Sequence, residues 1–281
     1  MSVKIITDSG SDMSCAKDDL LECVPLNVRF GSEEYQDGVN LSHEEFYSRL
    51  EGCDTLPATS QPSPALFEEA MKRALAQHDE VVVITLSSKL SGTYQAARLA
   101  ADDDERIHVV DSENVALGQR ILVQLALELA KIGKSVDEIV RVLDEKKKDV
   151  RLIALLDTLD YLKKGGRVSS AAAFASSVLS IKPVIAIEEG EVHVIGKARG
   201  SKKGNNFLIE EVRKAGGIDL DLPFALGYTG NDTELIERYI ADSKEILGLQ
   251  DVETDYYSVG SAVGTHAGPG AIAVAFFAKS E

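Results

Sequence analysis

Short apolar runs punctuate the first half of the chain, and between them apolar positions recur at helical spacing. Val3 to Thr7, Val24 to Val28, Val81 to Thr85 and Ile107 to Val110 read as strands. Val81-Val82-Val83-Ile84 is apolar on both faces, as a strand buried within a parallel sheet must be. Helices are predicted between them. Ser42-His43-Glu44-Glu45 has the form of a capping box opening a helix to Leu50. Ser63 caps and Pro64 begins a helix to about Gln77. Further helices follow over Ala96 to Ala100, Leu117 to Lys131 and Ser135 to Lys147. Strands alternating with helices predict a parallel sheet with helices on both faces, joined by right-handed crossovers. The polar turns that follow the strands then share one edge, which gathers Asp8, Ser9, Ser91 and Asp111.

The pattern changes near residue 150. Val150 to Leu155 reads as a strand, and Lys163-Lys164-Gly165-Gly166-Arg167 breaks the rhythm. A helix of small residues is predicted over Ala171 to Leu179. Val184 to Ile187 and Val192 to Ile195, joined at Glu189-Gly190, read as a hairpin. A helix near Asn206 to Ala215, a strand Phe224 to Tyr228, a helix Glu234 to Leu247 and a strand Val252 to Tyr257 come next. A glycine-rich loop, Gly260 to Gly270, leads into a last strand, Ala271 to Phe277. The expectation is an α/β protein of two domains. Residues 1–155 carry the parallel sheet and 156–281 a mixed sheet, with a ligand between or beneath the domain interface.

Composition narrows the partners. The 281 residues are 44% hydrophobic and 27% charged, as in ordinary soluble globular proteins. A net charge of −16 repels phosphate backbones and anionic surfaces, which argues against nucleic acid. Cys15, Cys23 and Cys53 form no pattern for a disulfide scaffold or a metal, and fit a reducing interior. The N-terminus lacks a secretory signal and no apolar run reaches the ~20 residues of a membrane span. The expected setting is the cytoplasm, without stable membrane insertion, cofactor or metal.

Candidate chemistry lies in three polar loops. Leu90-Ser91-Gly92-Thr93 leads from a buried strand into a helix, where open α/β sheets bind ligands and helix N–H groups favour a small anion. Ser91 serves equally well as a helix cap. Thr59-Ser60-Gln61-Pro62 is the second loop. The third, Gly264-Thr265-His266-Ala267-Gly268-Pro269-Gly270, holds a lone histidine among glycines that permit close backbone approach.

Asp8-Ser9, Thr59-Ser60-Gln61-Pro62-Ser63, Leu90-Ser91-Gly92-Thr93-Tyr94, Gly165-Gly166-Arg167-Val168 and the Gly264 to Gly270 loop together resemble the DegV family, in its order and across essentially the whole chain. The resemblance implies a non-catalytic protein holding one long-chain fatty acid, such as palmitate. Where a fatty acid kinase exists, such proteins present the acyl carboxylate to its separate ATP-dependent subunit, which makes acyl-phosphate for phospholipid synthesis. By position, the resemblance has Thr59 and Ser91 hold the carboxylate, assisted by Gly92 and Thr93, with His266 beside it. It places Arg167 and Arg199 on the kinase-docking surface. After Arg199 the chain has Gly200-Ser201 where the commoner pattern is threonine-lysine, so a solvated basic face is an equal reading of Arg199. Candidate acyl-chain neighbours are Phe174, Val178, Leu179, Ile181, Ile187 and Phe277, each of which fits an ordinary core as well. Burying a chain's methylenes contributes about 0.8 kcal/mol each, while the hydroxyls meet the carboxylate's demand for donors.

Two other functions stay open at this point. Ser91 and His266, with Asp8 or Asp111, supply the residue types of a serine acyl hydrolase, although no Gly-x-Ser-x-Gly elbow is present. A phosphosugar-type anion binder would use the same loops with a shallower, polar pocket. A purely regulatory interaction protein has no positive sign in the sequence.

Overall fold

The computed structural model describes residues 2–13, 18–168 and 181–279. The expected small-residue helix, and with it Phe174, Val178 and Leu179, lies outside the described residues, as does Cys15.

Val3–Asp8 (β1) ends in a single 3-10 turn, Ser9–Ser11. The expected strand Val24 to Val28 is two strands, Leu21–Val24 (β2) and Asn27–Phe30 (β3). Pro25 separates them, because it has no N–H to give a ladder. Glu33–Gln36 (β4), His43–Gly52 (α1) and Ala58–Ser60 (β5) follow. Ser42 Oγ accepts from Glu45 N as the capping pattern predicts. Then come Pro64–Leu75 (α2), Glu80–Thr85 (β6), Thr93–Ala101 (α3), Ile107–Asp111 (β7), Ala116–Lys131 (α4) and Val136–Lys146 (α5), the last opened by a complete capping box at Ser135 and Glu138. Val150–Leu155 (β8), Asp160–Gly165 (α6), Ile181–Glu188 (β9), Glu191–Arg199 (β10) and Ser201–Lys214 (α7) continue the chain. Ala225–Tyr228 (β11), Glu234–Ser243 (α8), Tyr256–Ser258 (β12), Ser261–Ala267 (α9) and Ile272–Phe277 (β13) complete it.

Among the described residues the first sheet is parallel, in the order β2-β1-β6-β7, and the second is mixed, in the order β10-β9-β8-β13-β11-β12. A small antiparallel sheet, β4-β3-β5, stands beside them. Helices α2 and α3 cover one face of the first sheet through Phe67, Met71, Ala96 and Ala97. Helix α4 covers the other and packs on its far side against β8, β11 and β13. It is therefore buried nearly all round from Leu117 to Leu127 and mostly apolar, as a helix between two sheets must be. Helices α7 and α8 close the outer face of the second sheet.

Strand β8 belongs to the second sheet, although the expected division at 155 places it with the first part. The core around α4 is shared by both sheets.

Candidate functional site

The acids at the edge of the first sheet brace loops. Asp8 is buried and accepts from Gly10 N at 2.9 Å, Leu86 N at 2.8 Å and Gln119 Nε2 at 3.2 Å. It thereby ties the loop after β1 to the loop after β6. Burial raises its carboxyl to about 7 against the pull of those donors. Asp111 accepts from Ser88 N and from Glu113 N. Ser9 Oγ donates to Asp37 and accepts from Leu26 N.

This bracing presents Ser91 and Gly92 to a cavity of about 270 Å³. Ser91 Oγ lies 2.8 Å from Thr93 Oγ1 and accepts from Thr93 N at 3.3 Å. Thr93 is buried at the start of α3 and does not border the cavity.

Thr59 reaches the same cavity from β5, which is held there by pairing of Thr59 with Val28. Its hydroxyl lies 2.9 Å from His266 Nε2. The expected glycine-rich loop carrying His266 is in fact α9, a helix of seven residues. Its glycines serve packing: a Cβ on Gly264 would lie 2.5 Å from Tyr47 Oη. Two carboxylates hold its N-terminus, Asp12 accepting from Gly260 N at 2.7 Å and Asp37 from Ser261 N at 2.8 Å and from its hydroxyl. Negative charge is favoured at that end of a helix.

The His266 ring stands against Gly165, where a Cβ would lie 2.2 Å from Nδ1. Nδ1 has no hydrogen-bond partner among the described residues. Burial first, and then the positive charge of Arg167, depresses the imidazole to about 4, so it is neutral near pH 7. Arg167 is exposed, borders the cavity and spans its mouth. Its Nη1 donates to Gly165 O at 2.6 Å and its Nε to Leu90 O at 3.3 Å. Arg199 closes β10 at the surface, away from the cavity lining.

The floor of the cavity is the inner face of the second sheet. Alternation sends Ile153, Leu155 and Val184 to the outer core and turns Leu152, Ala154, Ile185 and Ile187 inward. The register sets Gly227 beside Ala273, Ala273 beside Ala154 and Ala154 beside Ile185. Three of the smallest residues thus stand in one row across neighbouring strands; Leu117 of α4 fills the place beside Gly227, and the space beside the two alanines is part of the cavity. Ala273 keeps some exposure in mid-sheet for this reason. Of the acyl-chain candidates within the described residues, Ile187 borders the cavity; Ile181 and Phe277 do not. Phe277 is fully buried in the core around α4, and Ile181 pairs with Arg199 at the end of the hairpin.

Sequence reasoning missed Ala154, Gly227, Ala273 and Gly165. The alternating alanines Ala271, Ala273 and Ala275 at the end of the chain were the available signal for Ala273; Ala154 and Gly227 join it only through strand register. Ser91, His266 and Asp8 or Asp111 do not assemble into a triad among the described residues. His266 Nε2 faces Thr59, its Nδ1 faces Gly165, and Asp8 and Asp111 are committed to backbone amides. No cluster of metal-ligating side chains and no helix long and apolar enough to cross a membrane occurs among the described residues.

Comparison with known proteins places this geometry in company. The profile of a family described as "Uncharacterised protein, DegV family" matches residues 2–279. A DegV domain-containing protein of Caldanaerobacter subterraneus is 37% identical over 285 residues, covering 99% of each chain. A solved structure described as "Fatty Acid Binding of a DegV family Protein from Thermus thermophilus" superposes with a TM-score of 0.89 at 31% identity, over 99% of this chain and 100% of that one. A fatty acid (stearic acid)-binding protein from Eubacterium ventriosum gives a TM-score of 0.84 at 28% identity, over 97% of each chain.

Proposed function

The chain belongs to the DegV family, and from that premise we propose that it binds one long-chain fatty acid, carboxylate toward Thr59, Ser91 and His266 and tail along the second sheet. The observation that carries this reading is the cavity's polarity: two hydroxyls and a histidine at one end, and an apolar floor of Ala154, Ala273, Ile185 and Leu152 beyond. A buried Nδ1–H would go without an acceptor, so we assign the His266 proton to Nε2, from which it is donated to Thr59 Oγ1. That leaves the Thr59 hydroxyl proton free for the ligand's carboxylate. Ser91 supplies a second hydroxyl, and Gly92 lies beside it at the start of α3. Charged acceptors take such donors strongly, and each methylene buried contributes about 0.8 kcal/mol. The fatty-acid-binding relatives support the same ligand class.

The binding experiment is direct. Organic extracts of the protein purified from its own host, read by mass spectrometry, are expected to yield about one fatty acid per chain. Extracts without fatty acid, together with no uptake on titration of the stripped protein, would refute the reading.

The proposal extends to delivery: the protein presents the carboxylate to a separate ATP-dependent fatty acid kinase subunit for acyl-phosphate formation, and carries no chemistry itself. Arg167 at the mouth and Arg199 at the end of β10 are exposed and suited to docking that partner. Arg199 is the cleaner probe, since Arg167 also borders the cavity. Arg199→Ala is expected to keep fatty-acid affinity and to slow acyl-phosphate formation by a cognate kinase. An unchanged rate would remove Arg199 from the docking surface.

A further inference from the structure

Strands β8 and β9 are paired over only part of their length. Their ladder runs from Ile153–Ala186 to Leu155–Val184. Yet β8 begins at Val150 and β9 runs on to Glu188. Below the ladder each strand keeps only its other neighbour: Leu152 stays with Ala275 of β13, and Ile187 with Val192 of β10. The strands splay, and a second cavity of about 470 Å³ occupies the wedge, lined by Val150, Arg151, Leu152, Ala186 and Ile187. Arg151 occupies part of the gap, its Nη1 donating to Val150 O at 3.0 Å and Lys148 O at 2.8 Å. Lys148, Glu188, Glu211 and Lys214 give the wedge a charged outer rim.

Leu152 and Ile187 border both cavities. They are also where the acyl cavity ends. From Ala271, beside the head-group site, to Val192 is three strand spacings across and about four residues along. At ~4.8 Å per strand and ~3.4 Å per residue that is a diagonal of about 20 Å. An extended chain advances ~1.2 Å per bond, so roughly sixteen bonds bring a fatty acid's methyl end to Val192, which shares this end of the cavity with Ile187 through their cross-strand pairing.

We infer that the wedge between β8 and β9 is a distal opening of the acyl cavity, through which the methyl end of a longer fatty acid passes between Leu152 and Ile187. This rests on the fatty-acid reading and adds a rule for chain length. A closed cavity rejects a chain that is too long, because the excess must be folded or crushed against packed atoms. An open wedge returns the excess methylenes to water, where they neither gain nor lose. Affinity then rises with length up to about octadecanoic acid and levels off beyond it.

The test is a displacement series on the stripped protein with tetradecanoic, octadecanoic, icosanoic and docosanoic acids, against a fluorescent fatty acid and below each chain's aggregation threshold. The wild type is expected to hold the two longest acids within about threefold of octadecanoic acid. Leu152→Phe, which plugs the wall, is expected to weaken docosanoic acid at least tenfold more than it weakens tetradecanoic acid. Ile187→Phe offers the same test should Leu152→Phe not fold. A tenfold or greater fall from octadecanoic to docosanoic acid in the wild type overturns the opening, as does a plug that leaves docosanoic acid unaffected. Binding of none of the four acids would instead remove the fatty-acid reading, and the opening with it.

Discussion

Ala273 stands at the centre of the row of small residues, flanked by Gly227 and Ala154, and faces the cavity. Ala273→Leu puts three more carbons into that space. In the stripped protein they find apolar walls and empty volume, so burying them stabilises the fold by up to about 2 kcal/mol. The melting temperature should rise by a few degrees, since ~1 kcal/mol moves a chain of this size class by roughly 2–4 °C. In the loaded protein the same carbons occupy the path of about three methylenes of the ligand. The loss is about 2.4 kcal/mol, or roughly a 60-fold weaker dissociation constant. Calorimetric scans of the stripped protein and titration with hexadecanoic acid measure the two effects separately. The opposite signs matter, because a variant that merely misfolds loses both stability and affinity. A destabilised stripped protein with unchanged affinity would show that this face of the sheet is already solidly packed, and the reasoning would fail.

Three further outcomes follow from the head-group end. Gly165→Ala drives a methyl into the His266 ring and should cost about 1–3 kcal/mol in urea unfolding; unchanged stability would mean that the ring stands clear of the backbone there. Thr59→Val keeps shape but removes the hydroxyl, and should weaken fatty-acid binding by about 1–3 kcal/mol on titration; wild-type affinity would remove Thr59 from the site. Because the folded imidazole titrates at about 4 and the unfolded one near 6.5, the unfolded chain takes up a proton that the fold does not as pH falls between those values. Up to about 3 kcal/mol of stability is therefore lost on acidification through that window. The stability difference between wild type and His266→Gln should shift accordingly between pH 7 and pH 4.5, while the opposite slope from Asp8 cancels in the comparison. A difference independent of pH would mean that the folded imidazole titrates where the unfolded one does.

How much of this was legible beforehand depended on the range of the interactions involved. Strands β1, β6 and β7 were readable because burial on both faces leaves continuous apolar runs, and α5 because its capping box is written in four adjacent residues. The hydroxyls of Thr59 and Ser91 were findable from their loops and from the family resemblance. Strand β5 and helix α9 were not. Thr59 was read in a polar loop because Ala58–Ser60 is too short for a periodic signal and forms a strand only against β3. His266 was placed in a loop because glycine disfavours helix locally, whereas α9 is held by Tyr47, Asp37 and Gly165 from distant parts of the chain. The cavity floor was illegible for a related reason. That Gly227, Ala273 and Ala154 share a row is a matter of register between strands, and register is not written in any one of them.

The topology of the second sheet bears on how the chain is made. Strand β13 follows every other strand in chain order, yet it lies mid-sheet, with β8 on one side and β11 on the other. A ribosome-bound chain halted before residue 271 would hold two separate fragments, β10-β9-β8 and β11-β12, with exposed edges where the keystone is missing. Such an intermediate lacks the part of the cavity floor that Ala273 supplies, so on the fatty-acid reading binding waits for synthesis to pass that strand. On the same reading, a nonsense codon ahead of β13 would forfeit the binding apparatus along with the strand that joins the two fragments.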